Sequence, residues 1–248
     1  MDADILVFAP HPDDAELLCG GLLLKAAKRG KKTVVVDLTR GELGTRGSVD
    51  ERTREAAAAS ALLGLAAREN AGLPDGKLQN DDVLRSTMVR MLRKYRPSLV
   101  LIPHWEDQHP DHAAVGQAGL HAAFLTGVPK YDAGSGTGVA APDRLPYRPR
   151  QILHYNNRYG IAANIVVDIS DVADEKMEVV RCFGTQFGPG NPEAGGTAES
   201  QTKLSGTQFF DWLRGMHSFY GYQAGVRFGE AYCSKSPLCV SDVSMLLG

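Results

Sequence analysis

Two largely apolar stretches open the chain, the continuous run Ile5 to Ala9 and a second buried strand, Thr33 to Leu38, each of a length expected for a strand covered on both faces. Between them, Ala15 to Arg29 carries Leu17, Leu18, Leu22 and Ala26 near one helical face, with Gly30 as a stop. A β-α-β opening of this kind implies a right-handed crossover and a parallel sheet. The polar stretch Thr39 to Asp50 leads to a helix from Glu51 to Leu63, where an Ala-rich run gives high propensity and Gly64 closes it. Asn80, Asp81 and Asp82 supply N-cap chemistry for a helix through Lys94, and Pro97 restarts the chain toward an apolar strand, Leu99 to Ile102. Ala113 to Phe124 is the helix that follows. Farther on, the pattern predicts a strand over Ile165 to Ile169, a helix opening at Asp171 toward Cys182, and another from Gly206 to Tyr220. Gly- and Pro-rich stretches at 133–149 and 188–206 exceed ordinary connections and are expected as surface loops at the sheet rim, where either could form a lid. With no internal repeat, residues 1–248 are expected as a single α/β domain.

Composition removes alternatives more than it adds any. At 43% hydrophobic and 23% charged residues, the chain is neither disordered nor a membrane protein by composition, and no apolar run is long enough to span a bilayer. The formal net charge of −2, with Lys and Arg scattered along the chain, leaves no footprint for a nucleic-acid backbone. Met1-Asp2-Ala3-Asp4 runs directly into the first strand without the basic start of a signal peptide, so a cytoplasmic location is expected. Cys19, Cys182, Cys233 and Cys239 form no C-x-x-C pair and are expected as reduced thiols.

The chemistry sits at two strand ends. His11-Pro12-Asp13-Asp14 follows the first strand, and Asp107-Gln108-His109-Pro110-Asp111-His112 follows the strand at Leu99. In open α/β sheets, ligands bind outside the carboxyl ends of the strands, where adjacent connections leave in opposite directions. His11, Asp14 and His112 give two imidazoles and one carboxylate, the donor set of a catalytic zinc with one position open for water. Either motif alone would be a turn with a helix cap; two at separate strand ends favour a metal site. Asp13 is the expected base, because a zinc-bound water has its pKa lowered to about 7 and a nearby carboxylate can take its proton. The plainer role for Asp13 is a cap on the helix at Ala15. His109 is expected to stabilise the oxyanion or protonate the leaving amine, with Asp111 orienting its ring and raising its pKa. The competing assignment makes His109 a ligand in place of His112; small Ala113 and Ala114 behind His112 favour the latter.

Three blocks of this sequence resemble the signature blocks of the LmbE-like (PIG-L) deacetylases: Ala9-Pro10-His11-Pro12-Asp13-Asp14-Ala15-Glu16, then Leu38 through Gly47 (LTRGELGTRG), then Asp107 through His112. Similarity continues through Val167-Asp168-Ile169-Ser170, Thr185-Gln186-Phe187 and Gly229-Glu230-Ala231-Tyr232. Those later segments look most like the bacillithiol-pathway branch acting on N-acetylglucosaminyl-malate. The resemblance implies a Rossmann-like three-layer fold with a mostly parallel sheet, zinc at His11, Asp14 and His112, and Asp13 as base. Iron(II) is the alternative metal in a reducing cytosol. It also implies a small-molecule N-acetylglucosamine conjugate as substrate and a homo-oligomer, commonly a hexamer. Arg52 matches a family arginine that contacts the substrate, and Asp107 is expected on sugar hydroxyls; the plainer roles are a solvated helix charge and an exposed loop acid. Phe209 aligns where some relatives carry a tyrosine that reaches the oxyanion, and phenylalanine has no donor. Trp212-Leu213-Arg214-Gly215 also departs from the Ala-Arg pair usual in the branch, so the aglycone is left open.

Three rivals are weaker. An iron oxygenase triad usually sits in a β barrel, a binding module needs neither Asp13 nor His109, and a dinucleotide fold would carry a glycine fingerprint after its first strand.

Overall fold

Alternation inside the strands sorts the core into two layers. In β1 (Ile5–Ala9), Ile5, Val7 and Ala9 join one hydrophobic cluster and Leu6 and Phe8 the other, so all five residues are buried. β2 (Thr33–Asp37) does the same, with Val35 on one face and Val34 and Val36 on the other. The computed structural model describes residues 1–131, 145–155, 163–188, 204–205 and 207–238. The expected loops at 133–149 and 188–206, and Cys239, lie largely or wholly outside these.

Helices α1 (Asp14–Lys28), α2 (Val49–Leu63), α5 (Ala173–Arg181) and α7 (Thr207–Gln223) cover the first face, and α3 (Asp82–Tyr95) with α4 (Pro110–Leu125) covers the second. The seven-stranded sheet has the order β3-β2-β1-β4-β5-β7-β6. β1 to β5 run parallel, and β7 (Gly229–Cys233) lies antiparallel between β5 (Gln151–Tyr155) and β6 (Ile165–Asp168). The expected three-layer, mostly parallel α/β fold is therefore present. The connections from β1 leave toward β2, whereas β4 (Leu99–Pro103) pairs on the other side of β1. That switch opens a crevice at the ends of β1 and β4.

Three strands escape the hydrophobic pattern. β3 (Ala67–Asn70) reads Ala-Arg-Glu-Asn and is a strand because its backbone pairs with β2 at the sheet edge. β5 and β7 are short segments whose register comes from their neighbours. A four-residue helix, α6 (Gly184–Phe187), follows α5.

Long-range polar contacts bind the ends of the chain together. Glu230 on β7 accepts from the backbone N–H groups of Gly21 and Leu22 inside α1, at 2.7 and 2.8 Å. The same carboxylate receives the fully buried Lys176 Nζ at 2.6 Å, which also meets His217 Nε2 at 2.7 Å. At the other end of the sheet, Arg68 joins Asp37 at 2.7 Å and the fully buried Glu16 at 2.5 Å. Among the described residues, no helix is long and apolar enough to cross a membrane. Cys19 and Cys182 are free thiols.

Candidate active site

Four loops, following β1, β2, β3 and β4, converge on the crevice. The β1 loop ends at Asp14, the first residue of α1, whose Oδ2 accepts from the His11 backbone N–H at 2.9 Å and closes the turn. That turn sets the ring of His11 beside the carboxylate, with Nδ1 3.3 Å from Asp14 Oδ2. From the β4 loop, His109 is the N-cap of α4 and Pro110 its first residue, which carries His112 into the same crevice. Gly116 makes this approach close: a Cβ there would lie 2.7 Å from the Pro103 carbonyl oxygen and 2.8 Å from that of His104.

His112 Nε2 lies 3.3 Å from Asp14 Oδ2, the same distance as His11 Nδ1. One carboxylate oxygen thus faces two imidazole nitrogens, and all three side chains are buried. The donor atoms of this trio lie within 4.8 Å of one another. The carboxylates around the two rings favour positive charge there. Burial lowers the His11 imidazole, but Asp111, Asp14 and Asp75 push it up to about 12. His112 is likewise pushed up to about 9, its burial outweighed by Asp14 and Asp107. A divalent cation suits a donor set of this charge. His11, His109 and Asp111 make a second group within the same reach, but His109 is exposed and the set shares His11.

The surrounding carboxylates are arranged differently from the sequence-based expectation. Asp111 does not hold the ring of His109. Its two oxygens accept from the backbone N–H groups of Gly76 and Leu78, at 2.8 and 3.1 Å, and Oδ2 lies 3.4 Å from His11 Nε2. His109 Nδ1 instead accepts from the Asp111 backbone N–H at 3.3 Å. Burial and the charges of His11 and His112 push the His109 imidazole down, where a rise was expected.

Asp107, expected on sugar hydroxyls, is turned inward. Its Oδ1 accepts the His109 N–H at 2.9 Å and its Oδ2 lies 3.5 Å from His112 Nδ1, an ion-pair distance too long for a hydrogen bond. Asp75 was not foreseen. It sits on the loop after β3, is 7% exposed, and brings Oδ1 to 3.1 Å from His11 Nε2. A single acid in a Leu-Pro-Asp-Gly turn carries no sequence signal beyond the turn itself.

Asp13 makes no cap bond to α1. Its Oδ2 meets Arg52 Nη2 at 2.6 Å, and burial, aided by Asp14 against the pull of Arg52, pushes its carboxyl up. Arg52 is not a solvated helix charge: it is 7% exposed and bonds within the protein. Phe209 is a core residue, stacked on Phe187 with ring centroids 4.6 Å apart, so packing rather than chemistry explains its apolar ring.

A crevice at a parallel-sheet switch point, holding a two-histidine, one-carboxylate trio beside a further buried carboxylate, has the make-up of a metal-assisted enzyme's active site. Residues 6–123 match the family model PIG-L, described as GlcNAc-PI de-N-acetylase. The chain is 29% identical to the diacetylchitobiose deacetylase of Thermococcus kodakarensis, over 91% of this chain and 80% of that protein. It is 28% identical to a probable N-acetyl-alpha-D-glucosaminyl L-malate deacetylase 2 of Bacillus subtilis, over 75% and 84%. The crystal structure of the conserved protein TT1542 from Thermus thermophilus superposes with a TM-score of 0.79 and 32% identity, covering 96% of this chain and 97% of that one. The chain belongs to the PIG-L (LmbE-like) family.

Proposed function

We propose that this protein hydrolyses the N-acetyl group of an N-acetylglucosamine conjugate. The observation that carries the reading is Asp13, a buried carboxylate beside the trio and outside it, with a carboxyl pushed upward by its surroundings. His11, Asp14 and His112 would hold a divalent cation, zinc in the first instance and iron(II) as the alternative. When bound, the cation supplies Lewis acidity toward an amide carbonyl. Asp13 takes the proton of the attacking water. His109, exposed at the rim with Nδ1 accepting from a backbone N–H, keeps its Nε2–H to donate to the oxyanion, and the proton taken by Asp13 is available for the departing amine.

Two aglycones are in competition. The N-acetylglucosaminyl-malate reading rests on the resemblance of the later segments, and an anionic aglycone would call for a cationic partner, whereas Arg52 spends three of its donors within the protein. A neutral disaccharide such as diacetylchitobiose is favoured by this and by the longer match to a chitobiose enzyme. Released acetate, measured over diacetylchitobiose, N-acetylglucosaminyl-malate, an inositol conjugate and an N-acetylated glycopeptide, tests the reading. Turnover of diacetylchitobiose at least tenfold above the malate conjugate is expected. Acetate from none of the four would overturn the function.

A further inference from the structure

We propose that Arg52 is the positioning residue of Asp13, fixing the base rather than binding substrate, with Gly41 shaped to admit it. The inference rests on Asp13 being the base.

Three of its donors are spoken for. Nη2 donates to Asp13 Oδ2 at 2.6 Å, Nε to the Pro12 carbonyl at 3.1 Å, and Nη1 to the Gly41 carbonyl at 3.0 Å. One rigid guanidinium therefore holds the carboxylate and the peptide immediately before it. The grip matters because Asp13 has φ 144° and ψ −25°, a conformation that a non-glycine residue keeps only when its surroundings impose it. Since the carboxylate forms no helix cap, its orientation depends on Arg52. Bonding through Oδ2 leaves Oδ1 for the proton.

The mount is equally defined. Arg52 stands in the first turn of α2, just past a reciprocal capping box in which Ser48 N–H donates to Glu51 Oε2 at 2.7 Å and Glu51 N–H to Ser48 Oγ at 3.2 Å. On the other side, Gly41 has φ 67°, and a Cβ there would collide with Arg52 Nη1. The β1 turn, the β2 loop and α2 thus meet at one side chain. A substrate-binding arginine would leave its planar edge to the crevice, whereas three of this one's five N–H groups end on protein acceptors.

Arg52→Ala, Arg52→Lys and Gly41→Ala are to be compared with Asp13→Asn and the Asp13→Asn/Arg52→Ala pair, after thermal melts establish that each is folded. Displacing the base should lower kcat by about 100-fold with KM within about threefold and bound metal unchanged. Lysine should not substitute, Gly41→Ala should copy the effect while Arg52 is retained, and added guanidinium should partly restore Arg52→Ala. Removing Arg52 from Asp13→Asn should cost little more. A raised KM with kcat preserved, or full additivity in the pair, would overturn the proposal. Substantial turnover by Asp13→Asn would instead sink the base assignment, which separates the two failures.

Discussion

His11 Nε2 and Asp75 Oδ1 stand 3.1 Å apart, which hands one ring nitrogen of a metal-type histidine to a buried carboxylate and leaves Nδ1 toward Asp14. Asp75 in turn accepts the Leu43 N–H through Oδ2 at 2.8 Å, so its position is set by the β2 loop. Carboxylate partners of this kind fix the tautomer of a ligand and strengthen it as a donor. Asp75→Asn is expected to weaken metal affinity by roughly 10- to 100-fold. Competition titration against a chromophoric chelator measures this directly, and unchanged affinity would count against the contact.

Base and ligand should separate cleanly. Asp13→Ala is expected to abolish turnover with stoichiometric metal retained, whereas His112→Ala should lose the metal. Metal analysis of both purified variants, beside acetate assays, decides it. A His112→Ala protein that kept its ion would point to the alternative group containing His109.

Acid sensitivity should trace partly to His154. Its Nδ1 meets the Pro103 carbonyl at 2.8 Å, Nε2 has no hydrogen-bond partner among the described residues, and burial, with His104 and Lys235 nearby, pushes the ring down to about 4. A depressed folded pKa means that the unfolded chain takes up a proton first, near 6.5. Stability from this residue is complete above pH 6.5 and is lost as pH falls toward about 4, by about 3 kcal/mol at most. Urea unfolding of metal-free protein at pH 7.5 and 4.5 should show a smaller pH difference in His154→Asn than in wild type. Equal differences would remove His154 as a cause.

Gly116→Ala should be disruptive because the new methyl meets two backbone oxygens, at 2.7 and 2.8 Å, and not a flexible side chain. A cost of about 1–3 kcal/mol is expected, together with weaker metal binding as α4 withdraws His112. Chemical denaturation and the same chelator titration would report both effects. Wild-type stability would show that α4 can slide without penalty.

Where hydrophobic runs were continuous, the chain announced its architecture. β1, β2 and β4 are buried on both faces, and their burial was written in Ile5 to Ala9, Thr33 to Leu38 and Leu99 to Ile102. β3 was silent because an edge strand reading Ala-Arg-Glu-Asn is made by its pairing with β2, a contact no local pattern encodes. The site divides likewise. His11, Asp14 and His112 could be grouped because they close two recognisable strand-end turns. The partners of Asp111, Asp107 and Arg52 could not, since each side chain had two or more polar neighbours within reach and only the meeting of loops selects among them. Adjacency in sequence suggested His109 for Asp111, while the fold supplied the Gly76 and Leu78 amides 35 and 33 residues away.

Glu230 has a bearing on how the molecule is made. Two amides in the middle of α1 are bonded to a residue that leaves the ribosome some 209 positions later. The first helix therefore waits for the last described strand before its bonding is complete, and the buried Lys176 waits with it. The stretch that carries the family pattern, 6–123, stops short of the residue that completes the bonding of its own first helix. A fragment ending at 123 would hold both halves of the metal motif while α1, which carries Asp14, lacked its contact with Glu230.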